Sequence, residues 1–225
     1  MNKDIYSRVI GLIGEESFSN ITNKKIYLAG LGGVGGTTFI ALVRSGFMNF
    51  TIIDMDVVNI SNLNRQLLYT YNDIDKYKAE VAHQYALNIN NEIVVNSYSK
   101  DVREVLPSED TDFIVDCIDD INAKILLIKY AREHNIPIIS SMGCANKFDP
   151  SKLKLAPLNK TTVDPLARKL RYELKKAGVD FSNLMTVYSD ETPIKDGSKL
   201  NSLVTVTSTA GLYIANYIFQ TLKNK

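Results

Sequence analysis

Residues 25–46 read KIYLAGLGGVGGTTFIALVRSG: a short apolar run, a turn holding five glycines, and a stretch with helical spacing that stops at Gly46. The same alternation continues downstream. FTIIDMD (50–56) is a second strand and DKYKAEVAHQYALNIN (75–90) an amphipathic helix. EIVVNSYS (92–99) is β-branched and strand-like, and DFIVDCID (112–119) is a strand with a polar carboxyl edge. NAKILLIKYAREHN (122–135) is a helix, and IPIISSMG (136–143) another buried strand. Strands alternating with helices predict an α/β fold, a mostly parallel sheet with helices on both faces.

Beyond Asn146 the pattern changes. SKLKLAPL (151–158) alternates like an exposed or antiparallel strand. DPLARKLRYELKKAG (164–178) is a helix with Pro165 near its start and Gly178 at its stop. NLMTVYSDE (183–191) is another strand candidate, followed by the polar loop TPIKDGSK (192–199). The second half of 200–225 reads as a buried helix that closes the sheet. The expectation is a Rossmann-like sheet extended by antiparallel strands in the C-terminal third. At 225 residues, one domain over 1–225 is the default, with the alternating core at about 20–146 and the changed pattern at about 147–225.

Composition narrows the class further. No apolar run reaches membrane-spanning length, and the N-terminus lacks a signal-peptide pattern, so a cytoplasmic location is expected. The two cysteines, Cys117 and Cys144, form no CxxC zinc knuckle and no disulfide framework; both read as packing residues. His83 and His134 lie in helices among charged neighbours, with no metal role expected. Net charge is only +1, yet residues 147–176 carry nine basic side chains against three acids. That segment suits a phosphate backbone, or simply a solvated helix face.

In open parallel sheets, ligands bind outside the carboxyl ends of the strands. Here those ends read Gly30–Gly36, Asp54–Asp56, Asp116–Asp120 and Ser141–Cys144. Gly30, Gly32 and Gly35 are spaced as a phosphate-binding turn at a helix N-terminus, or as a tight turn without a ligand. Asp54 ends the second strand, where a carboxylate holds ribose hydroxyls of either NAD or an adenine nucleotide. SNLNRQ (61–66) separates those two. Arg65 supplies positive charge for a phosphoryl group that reacts, and Asn62 and Gln66 add hydrogen bonds. Alone, Arg65 would be a helix cap or a surface ion pair; Lys78, thirteen residues on, favours a triphosphate. Asp119 suits Mg²⁺ carried in with ATP, while Asp120 suits an N-cap for the following helix.

GLGGVGG, DMDVVNISNLNRQ, KAE and DCIDD, in that order, resemble the adenylating domain of ubiquitin-activating-like enzymes, a superfamily that includes the sulfur-carrier adenylyltransferases. The resemblance spans about residues 5–145. It implies ATP binding and adenylation of a carboxylate with release of pyrophosphate. By position it places Gly33, Asp54, Asn62, Arg65, Gln66, Lys78 and Asp119 in the ATP site. It matches Arg8 to an arginine that reaches the partner subunit's phosphates in a homodimer. Asp120 stands where the sulfur-carrier enzymes usually carry Asn. The chain lacks both their CxxC zinc pairs and room for a catalytic-cysteine domain. Its basic DPLARKLR helix is instead similar to the tRNA threonylcarbamoyladenosine dehydratase branch, which implies tRNA as partner. A zinc-free adenylyltransferase for a small Gly-Gly-tailed sulfur carrier is the alternative; a non-catalytic nucleotide scaffold or NAD-dependent oxidoreductase is the second. No sulfur-transfer partner is readable.

Overall fold

The computed structural model describes residues 3–194 and 200–224; part of the polar loop at 192–199 therefore lies outside the described residues. Its strands are β1 (Lys25–Ala29), β2 (Asn49–Ile53), β3 (Val94–Tyr98), β4 (Phe113–Asp116), β5 (Ile138–Ser141), β6 (Leu153–Pro157) and β7 (Met185–Ser189). They form one sheet in the order β3-β2-β1-β4-β5-β7-β6. Neighbours are parallel except β6 and β7. The expected extension by antiparallel strands is thus narrower than the sequence suggested. β7 inserts between β5 and β6 and runs parallel to β5, so only β6 runs the other way.

Both faces of the sheet are covered, as the apolar strands require. In β1, Ile26 and Leu28 join one core cluster, whereas Tyr27 and Ala29 join another, the period-two alternation of a strand buried on both sides. The first face takes α1 (Ser7–Thr22), α2 (Gly33–Arg44), α3 (Lys78–Ile89) and α6 (Val204–Leu222), through Phe18, Phe39, Ala82 and Ile214. The second takes α4 (Ile121–Glu133) and α5 (Pro165–Lys176), through Leu127, Ile128, Leu170 and Leu174. α6 is the buried helix the sequence predicted. It crosses α2 so closely that a Cβ on Gly211 would stand 2.5 Å from the Val34 carbonyl. The Thr38 hydroxyl donates across the same contact to the Gly211 carbonyl at 3.1 Å.

One helix is broken and another starts later than its pattern predicts. α1 runs to Thr22 and breaks at Gly14, whose φ is 82°. α3 starts at Lys78 rather than at 75. Asp75 has a φ of 67°, Tyr77 bridges Val57, and the Val58 N–H donates to the Lys76 carbonyl at 2.8 Å. Tertiary pairing there overrides local helix propensity. It leaves Lys78 as the first residue of α3, with its N–H on the Asp56 carbonyl at 3.0 Å.

Candidate active site

The carboxyl ends of β1, β2 and β4 open into a cleft of about 550 Å³. Nine residues singled out from the sequence line it: Gly30, Gly32, Gly33, Asp54, Asn62, Arg65, Gln66, Lys78 and Asp119. The glycine turn forms one wall. Gly30 takes a φ of 87°, and a Cβ on Gly35 would lie 1.8 Å from the Gly30 carbonyl oxygen, so α2 packs directly on the strand that feeds it. Gly32 faces the opening: an added Cβ would meet only the Gln66 Nε2, at 3.9 Å.

Opposite stands a carboxylate pair held by one ammonium group. Asp54 accepts the Leu31 N–H at 2.6 Å and the Asp56 N–H at 2.9 Å. The Lys78 Nζ lies 2.7 Å from Asp56 Oδ2 and 4.0 Å from Asp54 Oδ1. Burial pushes the Asp54 carboxyl above the ordinary carboxylate range, and the Lys78 charge opposes that push. Lys78 is almost fully buried, whereas Asp56 is exposed, so an incoming phosphate can replace Asp56 as its partner.

The SNLNRQ loop closes the third side. Across a short 3₁₀ turn, Ile60–Asn62, the Asn62 Oδ1 accepts the Asn59 N–H and the Asn59 Oδ1 accepts the Ser61 N–H, each at 3.0 Å. Arg65 follows, and its Nη1 donates to the Ser61 carbonyl at 2.8 Å and to Asn64 Oδ1 at 3.0 Å. Neither bond is to a carboxylate, so the guanidinium keeps its charge uncompensated. Gln66 is buried, and its Oε1 has no hydrogen-bond partner among the described residues. A buried orphan oxygen on a cleft wall is costly unless a ligand donor satisfies it.

On the fourth side the DCIDD run (116–120) leaves the end of β4, and its two last carboxylates stand in different settings. Asp120 caps α4, accepting the Ala123 N–H at 2.7 Å and an Arg103 bond at 2.8 Å. That N–H, with the Arg103 charge, holds its carboxyl below the usual range. Asp119 is exposed and enters no hydrogen bond or ion pair among the described residues, so it remains available to a metal ion. No group of three or more His, Cys, Asp or Glu poised for a metal occurs among those residues. Together, turn amides, two cations and two flanking carboxylates form a setting that suits a polyphosphate.

A model described as the ThiF family matches residues 6–225. The chain belongs to the ThiF family. It is 36% identical to tRNA threonylcarbamoyladenosine dehydratase 2 of Saccharomyces cerevisiae over 85% of this chain, spanning 44% of that longer protein. It is 35% identical to tRNA threonylcarbamoyladenosine dehydratase of Bacillus subtilis over 84% of this chain and 76% of that one. Its fold superposes on the crystal structure of Escherichia coli tRNA N6-threonylcarbamoyladenosine dehydratase, TcdA, in complex with ATP, with a TM-score of 0.92. That match is 28% identical and covers 99% of this chain and 95% of the other.

Other residues singled out in this ThiF-family chain lie outside the cleft or at its edge. Arg8 does not line the cleft; it is exposed on α1, and a single chain does not bring it to the site. Cys117 lies just past β4, with its carbonyl against Gly30 on the cleft wall and its side chain packed against the core, as expected of a packing residue. Cys144 is buried, as expected of a packing residue. His83 meets Ser97 at 3.1 Å, and His134 stacks on Tyr130 at 4.1 Å between centroids; neither lines the cleft. Of the nine basic residues in 147–176, Lys147 is buried, Arg171 donates to the Leu158 and Thr161 carbonyls, and Lys154 pairs with Asp190. Lys152, Lys160, Arg168, Lys169, Lys175 and Lys176 are exposed and enter no ion pair among the described residues.

Sequence reasoning missed Lys100, Asp101 and Arg103, which also line the cleft. They follow β3, which pairs with β2, so its carboxyl end opens beside Asp54. The signal was present: a polar run after a strand in a parallel sheet belongs to the site edge.

Proposed function

We propose that this chain is an ATP-dependent tRNA threonylcarbamoyladenosine dehydratase. It activates the threonyl carboxylate of that modified adenosine in the anticodon loop, and the carboxylate closes on its own carbamoyl group with net loss of water. One observation carries the reading. Asp54, Arg65, Lys78 and Asp119 meet in a single cleft, in a chain whose full length superposes on a dehydratase solved with ATP.

The residues present fit the nucleotide. The open face at Gly32 leaves room for phosphates, and the orphan Gln66 oxygen offers an acceptor. Asp54 would hold the ribose, and the turn amides the phosphates. ATP would supply the adenylyl group that makes the carboxyl carbon electrophilic, with pyrophosphate leaving on activation and AMP, carrying one carboxylate oxygen, leaving on ring closure. Arg65 and Lys78 offset the charge that grows on the phosphoryl oxygens. Asp119 would hold Mg²⁺, which binds through one or two carboxylates plus substrate phosphates. No side chain need act as nucleophile, because the substrate carries its own. The exposed lysines and Arg168 of residues 152–176 offer contacts to the tRNA backbone. Arg8 completes the site from a second copy of the chain; exposed Met55, Ile60, Leu67 and Tyr71 near the cleft loop suit such an interface. The expected location is the cytoplasm.

The test is direct. Incubation with Mg-ATP and tRNA bearing threonylcarbamoyladenosine is expected to remove the mass of one water from that nucleoside. An unchanged nucleoside, together with rapid ATP use on a small protein ending in Gly-Gly, would overturn the reading in favour of a carrier adenylyltransferase.

A further inference from the structure

A second cavity, about 290 Å³, lies across the SNLNRQ loop from the nucleotide cleft. Lys147 forms its floor, with Phe148, Ile194, Ser202 and Leu203 around it. Two hydrogen bonds tie the 202–207 stretch to the SNLNRQ loop of the cleft. The Asn64 side chain donates to the Ser202 carbonyl at 3.3 Å, and the Thr207 hydroxyl reaches the Arg65 carbonyl at 3.5 Å.

Phe148 is the odd residue here. It is 69% exposed, yet its backbone is held hard in place. The Glu191 carboxylate accepts the Phe148 N–H at 2.9 and 3.0 Å and the Asp149 N–H at 2.9 Å. Before it, Asn146 sits at a φ of 57°, with its carbonyl on the Ile194 N–H at 2.7 Å and its side-chain oxygen on the Asn201 N–H at 2.8 Å. Beneath it, Lys147 is locked to Asp164 at 2.7 Å and to the Gly143 carbonyl at 2.6 Å. A rigid frame thus presents one apolar ring to solvent, which costs solvation unless something covers the ring.

We infer that this cavity receives one unstacked nucleobase of the RNA substrate, the modified adenine itself, with its ring on Phe148. The inference rests on the dehydratase reading. Single-stranded loops are read by splaying bases onto aromatic side chains. The volume sits at the lower limit of small-ligand pockets, enough for a base but not for a nucleotide with its phosphates. The phosphates would fall to exposed Lys152, four residues on. The Asn64–Ser202 bond sets this cavity beside the loop that carries Arg65, so a long substituent of that base can extend toward the nucleotide cleft, where its carboxylate must arrive.

The experiment compares wild type, Phe148→Ala and Phe148→Tyr on the modified tRNA, with ATP binding measured separately. An exposed ring contributes little to folding, so all three should melt alike. Base stacking of roughly 1–3 kcal/mol corresponds to a loss of about fivefold to a hundredfold in kcat/KM for tRNA in Phe148→Ala. Phe148→Tyr should keep most of the activity, and ATP affinity should not change in either variant. Phe148→Ala working within twofold of wild type would overturn the inference alone. So would an equal loss of ATP affinity, since that would mark a role at the nucleotide. An inactive wild type would instead sink the dehydratase reading and the inference with it. A Phe148 effect on a Gly-Gly-tailed protein but not on tRNA would assign the cavity to a peptide tail.

Discussion

The charges that line the cleft and those sealed beneath the ends of β4, β5 and β7 look alike in sequence and differ completely in space. In the cleft, Lys78 shares itself between two carboxylates, one of them exposed, and Asp119 has no partner among the described residues. A few residues away, Lys124 and Asp116 have no solvent exposure at all. Lys124 also donates to the Ser141 carbonyl at 2.8 Å and to Ser140 Oγ at 3.2 Å, and Asp116 accepts from Ser140 at 2.5 Å. Lys147 and Asp164 form a second dry pair, with Asp164 doubling as the N-cap of α5 through the Ala167 N–H. The first group can exchange its partners for a ligand. The second cannot, because every polar atom is already spent and water is excluded. Working sites keep charges half-paired; scaffolds saturate them.

That contrast can be broken from either side. The largest effect should come from the dry pair. Lys124→Ala leaves Asp116 buried and unpaired, and should cost about 3–5 kcal/mol in urea unfolding. Replacing Asp116 by Leu as well should restore part of it, since a buried pair exchanged for apolar groups is often near neutral. A Lys124→Ala chain as stable as wild type would refute the saturated-scaffold account.

Next in size is Arg65→Ala, whose side chain bonds only its own loop. Turnover should fall by roughly a hundredfold to a thousandfold, as for other lost transition-state donors. The unfolding midpoint should barely move. An equal fall in stability would place Arg65 with the scaffold.

The pH response sharpens the comparison. Burial raises the Asp54 carboxyl, so it takes up its proton before an ordinary carboxylate does. ATP affinity should therefore begin to fall, on acidification, above the usual carboxylate range. The stability share runs the other way: a raised folded-state value favours folding at low pH and loses that share as pH rises through it. Lys78→Met removes the opposing charge and should move the acid limb of ATP binding to higher pH. A limb that stays put would detach Asp54 from Lys78.

The smallest effect should be Asp120→Ala, which removes the α4 cap and one Arg103 partner. A loss of about 1 kcal/mol is expected, by chemical denaturation. Asp119→Ala should leave stability unchanged and raise the Mg²⁺ concentration needed for turnover. Identical behaviour of the two variants would erase the division between neighbouring carboxylates.

Much of this was legible in the chain. Strand–helix alternation predicts the parallel sheet, and the glycine turn, Asp54, Arg65, Lys78 and Asp119 read as one site from their places after successive strands. Asp120 read as a cap. Less visible was that Asp116, in the same DCIDD run, is a core residue. Its partner Lys124 lies one helix later, and an amphipathic helix pattern does not say which lysine turns inward. Lys100 and Arg103 escaped notice because they reach the cleft through the pairing of β3 with β2. The parallel run of β7 was hidden because strand propensity carries no direction.

Local chemistry, then, was set by the sequence alone. Glycines permit a turn against a helix N-terminus, a carboxylate ends a strand, and cations follow at short spacing. Tertiary structure decided which charges stay wet and which are sealed, and where Arg8 stands relative to the cleft. The reason is physical: whether a charge can act depends on the water and partners left around it. Those are supplied by segments distant in the chain, brought together only when the sheet assembles.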